Sequence, residues 1–314
     1  MKYRGIVFLT EDFTDEWLGW AKSGELTNIG LHKLAIPGTN SIDSLLNELD
    51  DGFRRRVDKF EKADITVEYE LHALEWLLPR ALFKEKPELF RVHAGARASD
   101  MNCCVSNSEA LDIISERAYG LAKKLNQNSH NYYYWTDDAY DSFCACEKCG
   151  RLSGADQNMI LVNAMLRGVK AYDGKAKMAY LAYGAALTVP GIKADGGVFL
   201  EFAPMDRDHN KPMDSPDEER GKKYIKLLEQ LLTVFKADEV HVLEYWLDNA
   251  LYSGYKYPPV KAPFRADVME EDVKLYASYG INSIKSFGSF IGGEYYRLHG
   301  DPPIKTYGDI LKKY

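Results

Sequence analysis

Residues Asn131 to Cys149, NYYYWTDDAYDSFCACEKC, put three kinds of chemistry into one short stretch. Four aromatics, Tyr132 to Trp135, run into two carboxylates, Asp137 and Asp138, and a CxCxxC thiol cluster follows at Cys144, Cys146 and Cys149. Paired carboxyl groups are the minimum equipment for cleaving a glycosidic bond. One protonates the leaving oxygen while the other attacks, activates water or steadies positive charge. Thiols at this spacing are metal ligands by type, and Cys104 in the NCCVSN turn supplies a fourth, with Cys103 as its alternative. Four thiolates close a site with no open position for substrate, so the expectation is a structural zinc that staples the loop. Free or disulfide-bonded cysteines are the alternative, and no organic cofactor is expected.

The elements that must hold these residues follow from hydropathy. An apolar, aromatic run bounded by Asn and by acidic, turn-prone residues reads as a buried strand, with its carboxylates at the carboxyl end, where α/β folds keep their active sites. Seven further runs alternate with helical segments: Arg4–Leu9, Leu26–Leu34, Ile65–His72, Lys177–Tyr183, Val198–Phe202, Val240–Trp246 and Ile281–Phe287. With the aromatic run as strand four, the count is that of an α/β (β/α)8 TIM barrel with long β-α loops, in one domain spanning 1–314. Helices are expected over Thr14–Lys22, with Thr14 as cap, and over Ser41–Lys62, Ser108–Leu125, Asp217–Lys236 and Asp267–Tyr279. Ser153–Tyr172 should open with a capping box of Ser153 and Asp156, with Gln157 also at the cap. Leu74–Asp100 is a long excursion of the kind that carries function.

On this frame the acids gather at one end of the strands. Asp137 and Asp138 close strand four, Glu201 lies on strand six, Glu244 on strand seven, and Glu70 with His72 on strand three. A carboxylate in an apolar strand is costly to bury unpaired, so each is either a structural ion pair or a functional group. Alternation cannot turn both Asp137 and Asp138 inward, and Asp138, nearer the mouth, is the expected proton donor. Trp135, Tyr183, Tyr245 and Trp246 lie near the same ends and offer flat faces to a sugar ring, with core packing as their alternative role. His32, His72, Glu70 and Asp248 are candidates for sugar hydroxyls, and Arg207 for the carboxylate of a uronic acid. Glu201 with Glu244 would suit an inverting, water-activating mechanism.

The bulk composition narrows the partner. A net charge of −7 and a pI near 5.6 argue against a nucleic-acid binder and fit a neutral or cationic small partner or a neutral polymer; with the strand-end acids and aromatics, carbohydrate is the expected partner. No apolar stretch approaches the roughly 18 residues that span a bilayer. The N-terminus, MKYRGIVFLTEDF, does not read as a secretory signal. The expected location is cytoplasmic for the chain as written, or extracellular or periplasmic for a domain excised from a longer exported protein.

Several motifs resemble a known family in combination: WTDD followed by CACEKC, then LSGADQNMILVNAMLRGVK, AYLAYG, FLEFAPMDRD and LEYWLDNALYSGYKYPPV. Together with LHALEWLLPRALFKEKPELF and CCVSNSEALDII, they resemble the bacterial domain DUF4838, part of which forms glycoside hydrolase family 163. The resemblance implies a TIM-barrel glycosidase similar to β-hexosaminidases, and an endo-β-N-acetylglucosaminidase activity in which the substrate's acetamido oxygen is the nucleophile. It places Asp137 and Asp138 at the paired acid of strand four, as Asp-Asp where hexosaminidases have Asp-Glu. A carbohydrate-binding barrel without catalysis and an α-glucuronidase-like inverting hydrolase are the rival readings.

Overall fold

The structure, a computed structural model, describes residues 1–34 and 40–314. Its long strands are β1 Tyr3–Leu9, β2 Asn28–His32, β3 Thr66–His72, β4 Asn131–Trp135, β5 Lys177–Ala182, β6 Val198–Phe202, β7 Val240–Glu244 and β8 Ser283–Phe287. They close in the order β1-β8-β7-β6-β5-β4-β3-β2 with helices between them, the (β/α)8 barrel expected from the alternation. The strands read as unbroken apolar runs because a parallel sheet wrapped in helices is buried on both faces. Every residue of β2 and β6 is buried accordingly.

The chain separates into two compact units: residues 1–34, 47–68 and 201–314, and, among the described residues, 40–46 and 69–200. In the second unit, Glu70 of β3 stands beside Tyr133 of β4, and His72 beside Trp135. The Tyr132 hydroxyl reaches Asp173 at the end of the helix Gly154–Tyr172, so Tyr132 and Tyr134 face the helices. By alternation Tyr133 and Trp135 face inward, with Glu70 and His72. The helices Ser108–Lys124 and Gly154–Tyr172 pack backbone to backbone at Gly168, where a Cβ would lie 1.8 Å from the Ser115 carbonyl oxygen. Any side chain there would push the pair apart.

In the first unit, β7 and β8 align Leu243 with Lys285 and Glu244 with Ser286. Glu244 meets Tyr276 on the helix Ala266–Ser278, so it points outward, while Leu243, Tyr245 and Lys285 point inward. Two local expectations are corrected here. The segment Ser41–Lys62 is two helices, Ser41–Glu48 and Asp51–Glu61, because Asp50 accepts the Phe53 N–H at 2.7 Å and starts a second N-terminus. Thr14 does not cap its helix, which begins at Glu16. Residues beyond β8 form two further helices, Gly293–His299 and Ile304–Lys313. No helix among the described residues is long and apolar enough to cross a membrane.

Candidate active site

The carboxyl end of β4 carries the adjacent acids, and the structure gives them different surroundings. Asp137 forms an ion pair with Arg80 and accepts the Asn102 backbone N–H at 2.5 Å, while the Asn102 amide oxygen accepts the Asp137 N–H at 2.9 Å. Arg80 also donates to the Asn102 carbonyl at 2.9 Å. Among the described residues both side-chain contacts of Asp137 fall on Oδ2, which fixes the carboxylate plane. Asp138, one residue on, is exposed and forms no ion pair among the described residues. The split required by alternation is therefore present, with Asp137 tethered and Asp138 facing solvent.

A narrow cleft opens beside Asp137, lined by His72, Ser142, Phe143, Tyr183 and Ala186, and its volume of about 10 Å³ holds roughly one water molecule. His72 Nδ1 lies 2.5 Å from the Thr136 carbonyl, so that nitrogen carries the proton, and the ring packs against Trp135 with centroids 5.1 Å apart. At the surface Tyr183 faces Tyr140, ring centroids 6.0 Å apart, and Tyr140 is 57% exposed. The two rings, tilted 41° to each other, form an aromatic platform at the surface near the carboxylates.

The other strand acids meet cations of the protein itself. Glu244 is fully buried on the outer face of β7, where Arg207 Nη2 reaches both of its carboxylate oxygens at 3.1 Å. The same nitrogen binds Asp272 at 2.5 Å, and the Tyr276 hydroxyl donates to Glu244 at 2.5 Å. Trp246 donates to Asp272 at 2.9 Å. Burial raises the Asp272 carboxyl to about 6 despite Arg207, and burial, followed by Arg207, lowers the His209 imidazole to about 4. Arg207, expected to meet a substrate carboxylate, is spent on Glu244 and Asp272. Glu201, fully buried, pairs with Lys285 at 3.0 Å. Neither Glu201 nor Glu244 presents an accessible carboxylate for water activation, because each is shut away from solvent against a cation.

The remaining candidates divide by burial. Tyr245 is buried, stacked on Phe287 at 5.4 Å, and His32 meets the edge of the same ring at 5.5 Å. Trp246 is buried in the Asp272 network and Glu70 is fully buried beside Tyr133. Asp248 is buried, accepts the Ala250 N–H at 3.3 Å at the head of the turn Asn249–Tyr252, and has its carboxyl raised by burial to about 6. Of the residues singled out by type, Asp137, His72 and Tyr183 share the cleft, with Asp138 one residue beyond.

The thiols do come together. The sulfur atoms of Cys104, Cys144, Cys146 and Cys149 all lie within 4.8 Å of one another, and Cys103, although buried, is outside the group. Gln157 does not cap its helix. It accepts the Cys144 N–H at 3.0 Å and donates to the carbonyls of Cys144 and Cys149, tying the cysteine loop to the helix. The capping box of Ser153 and Asp156 forms as expected.

The family described as a domain of unknown function, DUF4838, matches residues 43–300. The chain belongs to that family. No curated protein matches it in sequence. Among solved structures, this DUF4838 chain is similar to a β-N-acetylhexosaminidase from Bacteroides fragilis with a TM-score of 0.54 and 12% identity. That match covers 98% of this chain and 66% of the hexosaminidase, just under two thirds of its length. A chitinase from Rhizomucor miehei gives a TM-score of 0.56 at 10% identity, covering 99% and 100% of the two chains. A GH5-4 broad-specificity endoglucanase from an uncultured bacterium gives 0.53 at 11%, covering 96% and 85%. At these identities the likeness is one of fold, the TIM barrel.

Four residues of interest in this DUF4838 chain escaped the sequence reading. Arg80 and Asn102 hold Asp137 from the long excursion after β3 and the turn that follows it, and no local signal ties them to strand four. Tyr140 extends the aromatic platform, and its place two residues after Asp138 was the available cue. Asp12, just beyond β1, is buried, accepts the Phe290 N–H at 2.7 Å and the Tyr257 hydroxyl at 3.1 Å, and is raised by burial to about 7.

Proposed function

We propose that the protein is a glycoside hydrolase whose chemistry takes place at the carboxyl end of β4, on a substrate bearing an N-acetylhexosamine. The observation that carries this reading is the unequal pair at that end. Asp137 is oriented by Arg80 and Asn102 through its Oδ2 at the edge of a cleft, and Asp138 stands in solvent beside it. Asp138 protonates the glycosidic oxygen. The acetamido carbonyl oxygen then attacks the anomeric carbon, and Asp137 accepts the acetamido N–H and steadies the positive charge that develops on it. Water then attacks the anomeric carbon and opens the resulting ring, and Asp138, left as a carboxylate when its proton departed with the leaving group, takes a proton from that water. Tyr183 and Tyr140 support the sugar face. The fold shared with the hexosaminidase and the chitinase supports the substrate class.

The test is digestion of an N-glycan pool and of chromogenic β-N-acetylglucosaminides, with inhibition by a thiazoline that mimics the cyclised acetamido intermediate. Release of product that disappears in Asp138→Asn and Asp137→Asn supports the reading. Turnover unchanged in both variants overturns it. A second reading, a glycan-binding barrel without catalysis, is favoured by the rings of Tyr140 and Tyr183, which lie at the surface beside a cleft too small for a pyranose ring. Saturable glycan binding without product on any substrate selects it.

A further inference from the structure

The four clustered thiols belong to no step of the proposed hydrolysis, and they come from three separate segments: the turn at Cys104, the loop at Cys144 and Cys146, and the short helical turn starting at Cys149. Zinc–sulfur bonds of about 2.3 Å in a tetrahedron place the sulfurs about 3.8 Å apart. Cys104 Sγ lies 3.7 Å from Cys146 Sγ and 3.8 Å from Cys149 Sγ. These spacings are far too long for a disulfide, and all five cysteines are free.

The surroundings suit thiolates bound to a cation. The Val92 N–H points at Cys144 Sγ at 3.3 Å and the Cys149 N–H at Cys146 Sγ at 3.5 Å, the outer contacts that orient sulfur ligands. Four thiolates around one divalent ion leave two negative charges, and the Arg97 side chain lies against Cys104 to offset part of them. Cys146 is the one partly exposed ligand and gives the ion a way in.

We propose that Cys104, Cys144, Cys146 and Cys149 bind one zinc ion in a closed, structural site that fixes the loop between β4 and the helix Gly154–Tyr172. All-sulfur tetrahedral coordination selects zinc or iron, and the full set of four leaves no position for substrate. The site also reaches toward Asp137, since Asn102, which holds that carboxylate through two hydrogen bonds, lies two residues before Cys104. Zinc is thus a positioning element for the β4 end. The metal assignment stands whether or not the chain hydrolyses a glycoside.

Elemental analysis of protein purified without added metal is expected to show about one zinc per chain, retained in Cys103→Ser and lost in Cys146→Ser and Cys104→Ser. Should these variants fail to fold, the wild type gives the same answer. A mercurial reagent releases its zinc in step with thiol titration, and exchange with cobalt(II) produces the intense absorption of tetrahedral thiolate coordination. Hydrogen exchange over residues 137–149 should rise on metal removal. Folded protein with no metal and five titratable thiols, masses reduced by disulfide formation, or metal retained in both Cys146→Ser and Cys104→Ser would each overturn the site. Visible thiolate-to-iron absorption would overturn zinc as its occupant, and unchanged exchange over 137–149 would overturn the positioning role.

Discussion

Two strand ends carry carboxylates of the same type in aromatic surroundings and use them in opposite ways. After β4, Asp137 is tethered at the edge of a cleft and Asp138 stands in solvent. On β7, Glu244 is fully buried with Arg207 and Asp272, each side chain excluded from water. An acid near a strand end therefore indicates function only once its face and its cation are known. The β7 acid points into the helical layer and is neutralised by the protein, whereas the β4 acid begins where the strand stops and side chains can reach solvent.

The contrast breaks most readily through a crossed pair of variants. Asp138→Asn should lower kcat/KM by roughly 10²- to 10⁴-fold, the usual worth of a general acid, while thermal unfolding stays within about 0.5 kcal/mol of wild type. Glu244→Gln should do the reverse, costing about 1–3 kcal/mol of stability while the folded enzyme keeps its kcat/KM within a few-fold. Loss of activity in Glu244→Gln at full stability would return β7 to the catalytic machinery.

Arg207→Met sharpens the buried side of the comparison. It leaves Glu244 and Asp272 facing one another without their shared cation, and denaturant unfolding should show a loss of about 3–5 kcal/mol. A change below about 1 kcal/mol would mean that the network is open to water.

Asp12 extends the comparison to a buried acid that forms no ion pair among the described residues. Its carboxyl is raised from 3.8 to about 7 by burial, so the folded state holds a proton that the unfolded chain has released. Below about pH 4 both states are protonated and the group adds no slope. Between about pH 4 and pH 7 the contribution of Asp12 to stability falls as pH rises, and above pH 7 it is level. That contribution spans on the order of 4 kcal/mol, and Asp12→Asn should remove it, leaving the declines that Asp248 and Asp272 contribute up to about pH 6 and the opposing rise that His209 contributes from about pH 4 upward. A pH profile identical in Asp12→Asn and wild type would show that this carboxyl is ionised in the folded protein at neutral pH.

The barrel itself was legible because eight apolar runs separated by helical segments leave little else for an α/β chain to build. The acid faces were not. In a strand buried on both sides, VHVLEYW gives no hydropathy signal for which alternate residues point inward, and only the contact of Glu244 with Tyr276 in the helical layer decides it. The cysteine cluster was legible from spacing, since three of its four members lie within six residues. Arg80 and Asn102 were not, because each reaches Asp137 from a segment remote in the chain.

The smallest expected effect concerns the aromatic platform, and it separates binding from chemistry at the β4 end. Tyr183 lines the cleft and faces Tyr140, which is more than half exposed. A ring kept at the surface beside a polar cleft gains its contact area when a ligand arrives, so its removal should act on affinity. Tyr140→Ala is expected to raise KM roughly three- to tenfold with kcat nearly constant, because the lost contact is made equally in ground and transition states. Tyr183→Ala, which also opens the cleft beside Asp137, should add a fall in kcat. A fall in kcat from Tyr140→Ala at unchanged KM would place that ring against the reacting bond instead, and would move the sugar deeper than the cleft now allows.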